Sequence, residues 1–330
     1  MERILITGGT GFIGSHLLKR LLSEKKYKVR IFLRKESNLE RIKGIEFVEI
    51  FRGDFYNDND LKKIVEGVDI LFHLAAILAR GKEEEYKKFN VEVSKKLFNY
   101  ALSSGVKKII FLSSLSVMGG SKNPHIFTEN DKPSPQNLYS KSKLEVEEYI
   151  SNISKKYKNK SFIIVRASAV YGPFDNFDRG FIRIIDMIKK GKFPIIGDLK
   201  NFMSLLYIDN LIDALILLMK KKILGLRIYF IADNEILTTG EVYDFICSDL
   251  GVKKKKFRIP VWLAKFLESV IEFFAKIFKF IPSFPEKYVE DFTSNYVCSI
   301  KKIRSELGWK PRFSTYEGLK RTIEWYKSLK

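Results

Sequence analysis

A glycine-rich turn close to the start of the chain constrains its fold most strongly. The turn, Thr7–Gly14, follows an aliphatic run at Arg3–Thr7 and precedes a helical pattern at Ile13–Ser23. Glycine permits a tight bend and lets the backbone approach a pyrophosphate, while the helix N-terminus offers free N–H donors. The sequence therefore predicts a turn that binds the phosphates of a dinucleotide. The predicted contact residues are Gly8, Thr10, Gly11, Phe12, Ile13 and Gly14.

Short β-branched or aromatic runs alternate with longer helical patterns through the first half of the chain. Predicted strands are Arg3–Thr7, Val29–Leu33, Phe47–Ile50, Ile70–His73, Lys108–Leu112 and Phe162–Arg166, and predicted helices are Ile13–Ser23, Leu61–Glu66, Glu83–Ser103 and Tyr139–Lys156. This alternation predicts βαβ units and a parallel sheet with helices on both faces. We expect a doubly wound α/β Rossmann fold that binds ligands beyond the carboxyl ends of its strands.

The alternation loosens after Arg166. We expect a dinucleotide-binding domain over residues 1–170, to which the chain returns at 204–235. Patterns in this part are a helix at Phe181–Lys190, a strand at Leu205–Ile208, a helix at Leu211–Lys221 and a strand at Arg227–Ile231. Residues 171–203 and 236–330 are expected to form a smaller, mainly helical substrate-binding region.

Composition limits the classes of partner. The formal net charge of +20 is compatible with binding to nucleic acid or an anionic membrane. However, the lysines are dispersed, apart from short runs at Lys220–Lys222 and Lys253–Lys256, and no nucleic-acid-binding module surrounds them. We interpret them as solvated surface and expect a small-molecule substrate and no nucleic-acid partner.

The cysteines and the N-terminus bear on compartment and metal content. Cys247 and Cys298 have no CxxC spacing and no nearby histidine cluster, so we expect neither a disulfide framework nor a metal site. The chain reaches Gly8 too early to hold the apolar stretch of a secretory signal. Both features favour a cytoplasmic protein.

An aromatic-rich stretch at residues 260–280 is interrupted by charges every three or four residues. Lys265, Glu268, Glu272, Lys276 and Lys279 therefore collect on one face of a helix. Five ionisable groups argue against a transmembrane span. We expect the apolar side to pack against the core or a second subunit. Attachment to a membrane surface and an apolar substrate channel are the alternatives.

The end of the second predicted strand distinguishes between cofactors. An acid there would accept hydrogen bonds from a free ribose hydroxyl, whereas this chain has Arg34 and Lys35. Two cations favour the 2′-phosphate of NADP over NAD, and Arg34 can contact it bidentately. Glu36 leaves the alternative that these are exposed loop charges.

Tyr139 and Lys143 lie four residues apart at the start of a predicted helix and so share a face. Tyrosine is a poor base at neutral pH unless positive charge stabilises the phenolate, and Lys143 with an oxidised nicotinamide supplies that charge. Ser113 and Ser114 end a predicted strand at the carboxyl edge of the sheet, where a hydroxyl can polarise a substrate carbonyl. We expect Ser114 to do so, while one of the two serines can instead serve loop backbone groups.

These motifs together resemble the extended short-chain dehydrogenase/reductase family, which includes nucleotide-sugar epimerases and dehydratases. The resemblance rests on Gly8–Gly14, Gly53-Asp54, His73–Ala76, Asn90–Ser94, Ser113-Ser114, Tyr139–Lys143, Arg166–Pro173 and Leu307–Pro311, and so spans almost the whole chain. It implies that Ser114, Tyr139 and Lys143 are catalytic, and that Lys143 also holds the nicotinamide ribose.

The resemblance also implies the remaining cofactor contacts. Asp54 is expected at the adenine, Ala75 and Ala76 along the dinucleotide, and Val170 near the nicotinamide. The other implied cofactor contacts are Phe55, Leu74, Asn90, Leu112 and Ala169. His73 is then interpreted as a strand-end residue and not as a ligand. A homodimer is expected, with Glu83–Ser103 and Tyr139–Lys156 forming a four-helix contact.

Two departures from the family pattern bear on the substrate. Members that act on nucleotide sugars carry an arginine before the strand at Leu205–Ile208, where it grips the diphosphate, and this chain has Met203-Ser204. The family's Val-Tyr-Gly is Val117-Met118-Gly119 here. Arg34, the missing arginine and the aromatic-rich helix at Val261–Phe280 together make the chain resemble the branch that contains dihydroflavonol reductases and 3β-hydroxysteroid dehydrogenases. The expected substrate contacts are Ser116, Met118, Tyr171 and Met203.

Three functions follow as hypotheses. The leading one is an NADP-linked oxidoreductase that interconverts a ketone and a secondary alcohol on an apolar substrate. The second is a nucleotide-sugar epimerase or dehydratase that retains NAD. The third is a dinucleotide-binding protein without turnover, against which the intact Ser114, Tyr139 and Lys143 argue.

Overall fold

The computed structural model describes residues 1–78, 82–178, 180–278 and 288–329. The strands are β1 (Glu2–Thr7), β2 (Tyr27–Leu33), β3 (Val48–Arg52), β4 (Ile70–His73), β5 (Lys108–Ser114), β6 (Ile126–Phe127), β7 (Ser161–Ala167), β8 (Ala169–Tyr171), β9 (Phe202–Tyr207), β10 (Gly225–Ile231), β11 (Ile236–Thr238) and β12 (Val297–Cys298).

Helices flank these strands along the chain. They are α1 (Phe12–Ser23), α2 (Asp58–Val65), α3 (Glu83–Glu85), α4 (Ser94–Ser103), α5 (Leu138–Ser154), α6 (Phe181–Lys189), α7 (Ile208–Lys220), α8 (Thr239–Leu250), α9 (Val261–Phe278), α10 (Tyr288–Thr293), α11 (Lys301–Leu307) and α12 (Thr315–Ser328). A π-helix spans Tyr86–Val93, and 3-10 turns lie at Glu40–Ile42 and Leu115–Met118.

Seven parallel strands form the central sheet in the order β10-β7-β5-β4-β1-β2-β3. Ile4 and Ile6 of β1 belong to one buried cluster and Leu5 to another, as alternation on a two-sided sheet requires. Helices α1 and α7 cover the first face, and α2, α4 and α5 cover the second. The predicted doubly wound fold is therefore confirmed.

The order of strands reverses at β1, which lies between β4 and β2. Ligands of doubly wound folds bind beside such a reversal, at the carboxyl ends of the strands. Thr7, His73 and Ser114 all lie at this edge, as the last residues of β1, β4 and β5.

The predicted elements differ from the structure at two places that matter for the site. The helix predicted at Glu83–Ser103 is interrupted by the π-helix, which inserts an extra residue per turn that hydrophobic periodicity does not reveal. Of the two strands predicted to return to the sheet, only β10 joins it. Strand β9 pairs with β8 and β11 in a separate three-stranded sheet.

The C-terminal part supplies α8–α12, in agreement with its mainly helical pattern. It is tied back to the first half by β12, which pairs with β6, and by isolated bridges from Asn295 to Ser121 and from Tyr296 to Met203. Within the described ranges, no helix combines the length and the hydropathy that crossing a bilayer requires.

Candidate active site

The glycine-rich turn has the shape of a phosphate cradle. Gly8 has φ +77°, and a Cβ there would lie 2.9 Å from the Ala75 backbone nitrogen. A Cβ on Gly14 would lie 2.1 Å from the Gly8 carbonyl oxygen. Gly11 is the N-cap of α1 and no side chain caps that helix, so its first N–H groups remain available to an anion. The turn therefore fits a dinucleotide pyrophosphate, and a side chain at Gly8 or Gly14 would clash with the backbone that forms it.

The predicted adenosine end lies at the adjacent ends of β2 and β3. Leu33 pairs with Arg52, and the Gly53 backbone N–H donates to the Leu33 carbonyl at 3.0 Å, which brings Arg34 beside Asp54. Arg34, Lys35 and Asp54 are exposed. Phe55 is buried against Phe32, with ring centroids 4.3 Å apart, and so forms the floor of this end.

The loop after β4 closes the turn from the other side. The Ala75 backbone N–H donates to Thr7 Oγ1 at 3.4 Å, and Leu74, Ala75 and Ala76 are half-buried. Asn90, in the π-helix, accepts from the Ile77 N–H at 2.8 Å and donates to the Ile77 carbonyl at 3.0 Å.

The Asn90 amide also donates to Ser142 Oγ at 3.0 Å, so both of its N–H donors are used inside the protein. Asn90 was expected to contact the cofactor. In the structure its donors hold the loop after β4 against helix α5, and its contact with the cofactor stays a prediction.

His73 lies at the end of β4, as the sequence analysis expected, and both of its ring nitrogens are occupied. Nδ1 lies 2.8 Å from Thr7 Oγ1 and Nε2 lies 2.7 Å from Ser94 Oγ. Burial, reinforced by the Lys143 ammonium, lowers the pKa of His73 to about 3 and keeps the ring neutral. Among the residues that the structure describes, no three His, Cys, Asp or Glu side chains converge into a group that could hold a metal ion.

Tyr139 and Lys143 occupy the first turns of α5, which begins at the N-cap Asn137. The Asn137 side chain accepts from the Ser140 N–H at 2.9 Å. Lys143 is buried, its Nζ donates to the Leu112 carbonyl at 2.8 Å, and it lies 5.9 Å from the centre of the Tyr139 ring. The predicted pair therefore shares one face of the helix and meets the carboxyl end of β5.

Burial shifts both groups toward their neutral forms. It lowers the pKa of Lys143 to about 7, although Glu147 opposes that shift. It raises the pKa of Tyr139 well above 10, with Tyr86 adding to the rise. Tyr139 therefore holds a proton that it can donate, and added positive charge nearby is needed before it can ionise.

The two candidate serines have different environments. Ser113 Oγ donates to the buried Glu147 carboxylate, whereas Ser114 Oγ faces a cavity and accepts from Ser116 N and Ser116 Oγ at 3.1 and 2.9 Å. Ser114 therefore has its hydrogen to donate to a ligand, while Ser113 is committed to the interior.

A buried ion pair supports this arrangement and was missed by the sequence analysis. Glu147 and Arg166 are 2.6 Å apart, with only 3% and 4% of their side chains exposed. Arg166 makes three N–H contacts to the carboxylate at 2.6–3.2 Å. The spacing of Glu147 one helical turn after Lys143 was the only signal in the sequence.

A cavity of about 350 Å³ opens beside Ser114. Its lining residues are Ser114, Leu115, Ser116, Ser168, Ala169, Asn201, Met203, Ser204, Thr239, Phe292, Ser294 and Tyr296. None of these side chains is charged. The buried Ser168 hydroxyl has no hydrogen-bond partner within the described part of the chain, which leaves it available to a polar ligand atom.

The cavity contains some of the predicted substrate contacts and excludes others. Ser116 and Met203 line it, and so does Ala169, which was assigned to the cofactor. Tyr171 does not face it: its side chain is fully buried and its hydroxyl donates to the Thr315 carbonyl at 2.9 Å. Met118 is also buried, with its sulfur accepting from Arg166 at 3.3 Å. Both residues were expected to contact substrate, and the structure places both in the core.

The remaining residues are one predicted cofactor contact and the cavity-lining residues that the sequence did not indicate. Val170 of β8 is half-buried and packs on the main core, and its contact with the nicotinamide stays a prediction. Asn201, Thr239, Phe292, Ser294 and Tyr296 were not predicted, because they come from irregular segments and helix ends that carry no periodic or motif signal.

A seven-stranded parallel sheet with this glycine turn and with Ser114, Tyr139 and Lys143 at its carboxyl edge defines an extended short-chain dehydrogenase/reductase fold. The model of the NAD dependent epimerase/dehydratase family matches residues 4–232, and the chain belongs to that family.

The chain is similar to members with different named activities. It is 27% identical over 331 residues to a UDP-glucose 4-epimerase of Vibrio cholerae, covering 98% of this chain and 95% of that one. It is 27% identical over 350 residues to a 3-beta-hydroxysteroid dehydrogenase of Mycolicibacterium neoaurum, with 100% and 92% covered.

Among solved structures, a UDP-glucuronic acid 4-epimerase from Bacillus cereus in complex with UDP-glucuronic acid and NAD is 25% identical. It superposes with a TM-score of 0.79 over 99% of this chain and 100% of that one. The family is thus one of NAD-dependent enzymes, and this solved relative contains NAD.

Proposed function

We propose that this protein is an NAD(P)-dependent oxidoreductase that interconverts a ketone and a secondary alcohol on an uncharged, largely apolar substrate. The uncharged lining of the cavity beside Ser114 carries this proposal. A nucleotide-sugar diphosphate bound there would have no cation from the lining to neutralise it, and burying such charge without a partner is costly. The family resemblance supports it too, since Met203-Ser204 stands where members that act on nucleotide sugars carry an arginine.

The proposed reaction needs one proton and one hydride at the same carbonyl group. A bound nicotinamide dinucleotide supplies or accepts the hydride. In the reducing direction, Ser114 Oγ donates a hydrogen bond to the carbonyl oxygen and Tyr139 transfers its phenolic proton to that oxygen. The Tyr139 phenolate that remains is stabilised by the Lys143 ammonium, and it is reprotonated from solvent.

The burial of Lys143 makes its charge effective. The ammonium donates to the Leu112 carbonyl and lies 4.6 and 5.9 Å from the centres of the Phe111 and Tyr139 rings. In so apolar a setting, a positive charge interacts more strongly with a developing phenolate than it would in water. Lys143 therefore lowers the cost of ionising Tyr139 in the step that needs it.

Ser168 gives the substrate a second polar contact. Its buried hydroxyl lines the cavity and can pair with an oxygen of the substrate. The remaining lining is mainly apolar or hydroxyl-bearing. A ketone or alcohol on a hydrocarbon framework with one further oxygen has the matching chemistry.

For the cofactor, we propose NADP in preference to NAD. Arg34 and Lys35 are exposed at the end of β2, and no carboxylate pairs with either of them in the ranges that the structure describes. Both are therefore available to a 2′-phosphate. The solved relative named above contains NAD, so the proposed preference for NADP rests on Arg34 and Lys35 and not on the family.

A retained-NAD epimerase or dehydratase is the second candidate, favoured by the named relatives. Such an enzyme oxidises and re-reduces one substrate without net turnover of cofactor. Denaturing the purified protein separates the two candidates. Stoichiometric NAD in the supernatant, together with conversion of UDP-glucose or dTDP-glucose, favours the second, whereas an empty protein that oxidises added NADPH supports the first.

Steady-state assays with NADPH and uncharged ketones test the leading proposal. Tyr139→Phe is expected to lower kcat by roughly 10²–10⁴-fold, the usual contribution of a positioned general acid, without weakening NADPH binding. Tyr149→Phe, which removes a phenol exposed on the same helix and bonded to Asn99, is the matched control and should retain activity. Full activity in Tyr139→Phe would contradict the proposed role of Tyr139. Wild-type protein that binds NADPH but turns over no ketone or alcohol would instead favour a dinucleotide-binding protein without turnover.

A further inference from the structure

Helix α9 carries an exposed apolar face. Trp262 is 71% exposed, Phe266 61% and Phe273 61%, although side chains of this kind usually lie inside a protein. The three positions are four and seven residues apart, so they lie along one side of the helix. Exposed residues that extend this face are Leu267, Ile271 and Phe274. A contiguous apolar surface of this kind marks an interaction site.

The protein body contacts a different side of α9. Ala264 is buried in a small cluster with Ile196 and Val289, and the Glu268 carboxylate accepts from the Val289 N–H at 3.1 Å. Ala264 and Glu268 are four residues apart and share a face. The expectation for this stretch was packing of its apolar side on the core or on a second subunit. For the described residues the first part is wrong, and the second part stays a prediction. The aromatic side chains point to solvent instead.

Positive charge lies next to this apolar face. The segment that leads into α9 contains the run Lys253–Lys256 and Arg258, all exposed, and Lys265 is exposed in the second turn of the helix. Phe257, within the same segment, is also exposed. Lysine and arginine beside a face rich in tryptophan and phenylalanine are typical of helices that lie in the interface of an anionic membrane.

The positive charge beside this face favours an anionic membrane over a second copy of the chain as its binding partner. Two copies meeting at α9 would bring together two Lys253–Lys256 runs on chains that each carry a formal net charge of +20, and like charges repel. A surface of anionic phospholipids is complementary to the same charges.

We infer that α9 binds the surface of an anionic phospholipid bilayer. Trp262, Phe266 and Phe273 enter the boundary between head groups and acyl chains, while the Lys253–Lys256 run contacts the head groups. The helix lies along the surface, since its Glu268 side is held by the protein body. Membrane binding of this kind is independent of the reaction proposed above.

Helix α9 lies close to the cavity, so a membrane bound to α9 would also lie close to it. Phe292 of α10 lines the cavity and packs against the cluster formed by Ile196, Ala264 and Val289, so one layer of side chains separates the cavity from α9. A protein bound through α9 therefore holds its cavity close to the lipid surface.

Co-sedimentation with vesicles tests this inference on the full-length protein. Wild type is expected to bind vesicles of phosphatidylcholine mixed with phosphatidylglycerol at least tenfold more strongly than vesicles of phosphatidylcholine alone, and added salt should weaken that binding. The double variant Trp262→Ser/Phe266→Ser is expected to lose at least tenfold in binding to the mixed vesicles. Wild-type tryptophan fluorescence should shift to shorter wavelength on binding, and this shift should vanish with Trp262.

Phe47→Ser is the matched control, because Phe47 is 92% exposed in a loop outside α9. It should bind mixed vesicles as wild type does, and unchanged circular dichroism should show that all variants are folded. Wild type that stays in the supernatant with mixed vesicles would overturn the inference, as would an equal loss in Phe47→Ser. A wild-type dimer that ignores vesicles and dissociates in the double variant would also overturn it and would identify a second copy as the occupant.

Discussion

Replacing Glu147 by glutamine should strongly lower the free energy of unfolding, because Glu147 is buried although it lies on a helix at the protein surface. Glutamine keeps the size of the side chain and can still accept from Ser113, but it leaves the Arg166 guanidinium buried without a countercharge. Its other contacts, among the residues that the structure describes, include Met118 Sδ at 3.3 Å and the Phe230 ring at 5.5 Å, and neither carries a negative charge. Breaking one side of a buried pair costs about 3–5 kcal/mol.

The expected change in melting temperature follows from the length of the chain. At about 2.1 cal/mol/K per residue, 330 residues give an unfolding entropy of roughly 0.7 kcal/mol/K. A loss of about 3–5 kcal/mol therefore lowers Tm by about 4–7 °C, which scanning calorimetry measures easily. The double variant Glu147→Gln/Arg166→Met removes both charges and should recover most of that loss.

Glu145→Gln is the control on the same helix. Glu145 pairs with Lys95 at 2.6 Å, but both side chains are solvent-exposed, so its loss should cost about 0–1 kcal/mol and shift Tm by little more than 1 °C. A Glu147→Gln protein that melts within about 1 °C of wild type would refute this reasoning. So would a double variant that is no more stable than the single one.

Three further predictions address cofactor and chemistry. Burial lowers the pKa of Lys143 to about 7. Ketone reduction needs the Tyr139–Lys143 pair fully protonated, so its kcat/KM should fall as pH rises through that value, while the kcat/KM of alcohol oxidation should rise. Initial rates that do not change with pH in either direction would contradict this. Arg34→Ala removes a charge-assisted hydrogen bond to the 2′-phosphate, so it should raise the KM for NADPH roughly 10–100-fold and leave the KM for NADH unchanged. An equal effect on both cofactors would show that Arg34 does not contact the 2′-phosphate. Gly14→Ala should abolish dinucleotide binding in calorimetry, because its Cβ would lie 2.1 Å from a backbone oxygen. Gly105→Ala is the control for backbone strain away from the turn, because its Cβ meets nothing within 4 Å but its φ is +96°. It should still bind, and binding by both variants would exclude the turn as the phosphate cradle.

The central sheet and the dinucleotide turn could be predicted because their signals are local. A glycine turn between a strand and a helix, and a tyrosine and lysine four residues apart, are visible along the chain itself. The strands β1, β4, β5 and β7 were recognised from continuous apolar runs, since parallel strands are buried on both faces. Their shared edge then follows from the topology.

Features that depend on contacts between distant segments could not be predicted in this way. Tyr171 looked like a site residue in its motif, but its direction depends on the Thr315 carbonyl, which is 144 residues away in the chain. The different roles of Ser113 and Ser114 depend on where α5 places Glu147. The outward direction of the aromatic face of α9 is also invisible to periodicity, which shows that a face exists and not which side is covered.

The residues of the cavity wall determine the order in which the parts of the candidate site are synthesised. The glycine turn, Tyr139 and Lys143 all leave the ribosome well before Ser294 and Tyr296, which line the cavity beside the bridges from Asn295 to Ser121 and from Tyr296 to Met203. Synthesis from the N-terminus therefore finishes the proposed coenzyme site before this part of the cavity wall. A polypeptide truncated ahead of residue 292 lacks that side of the chamber.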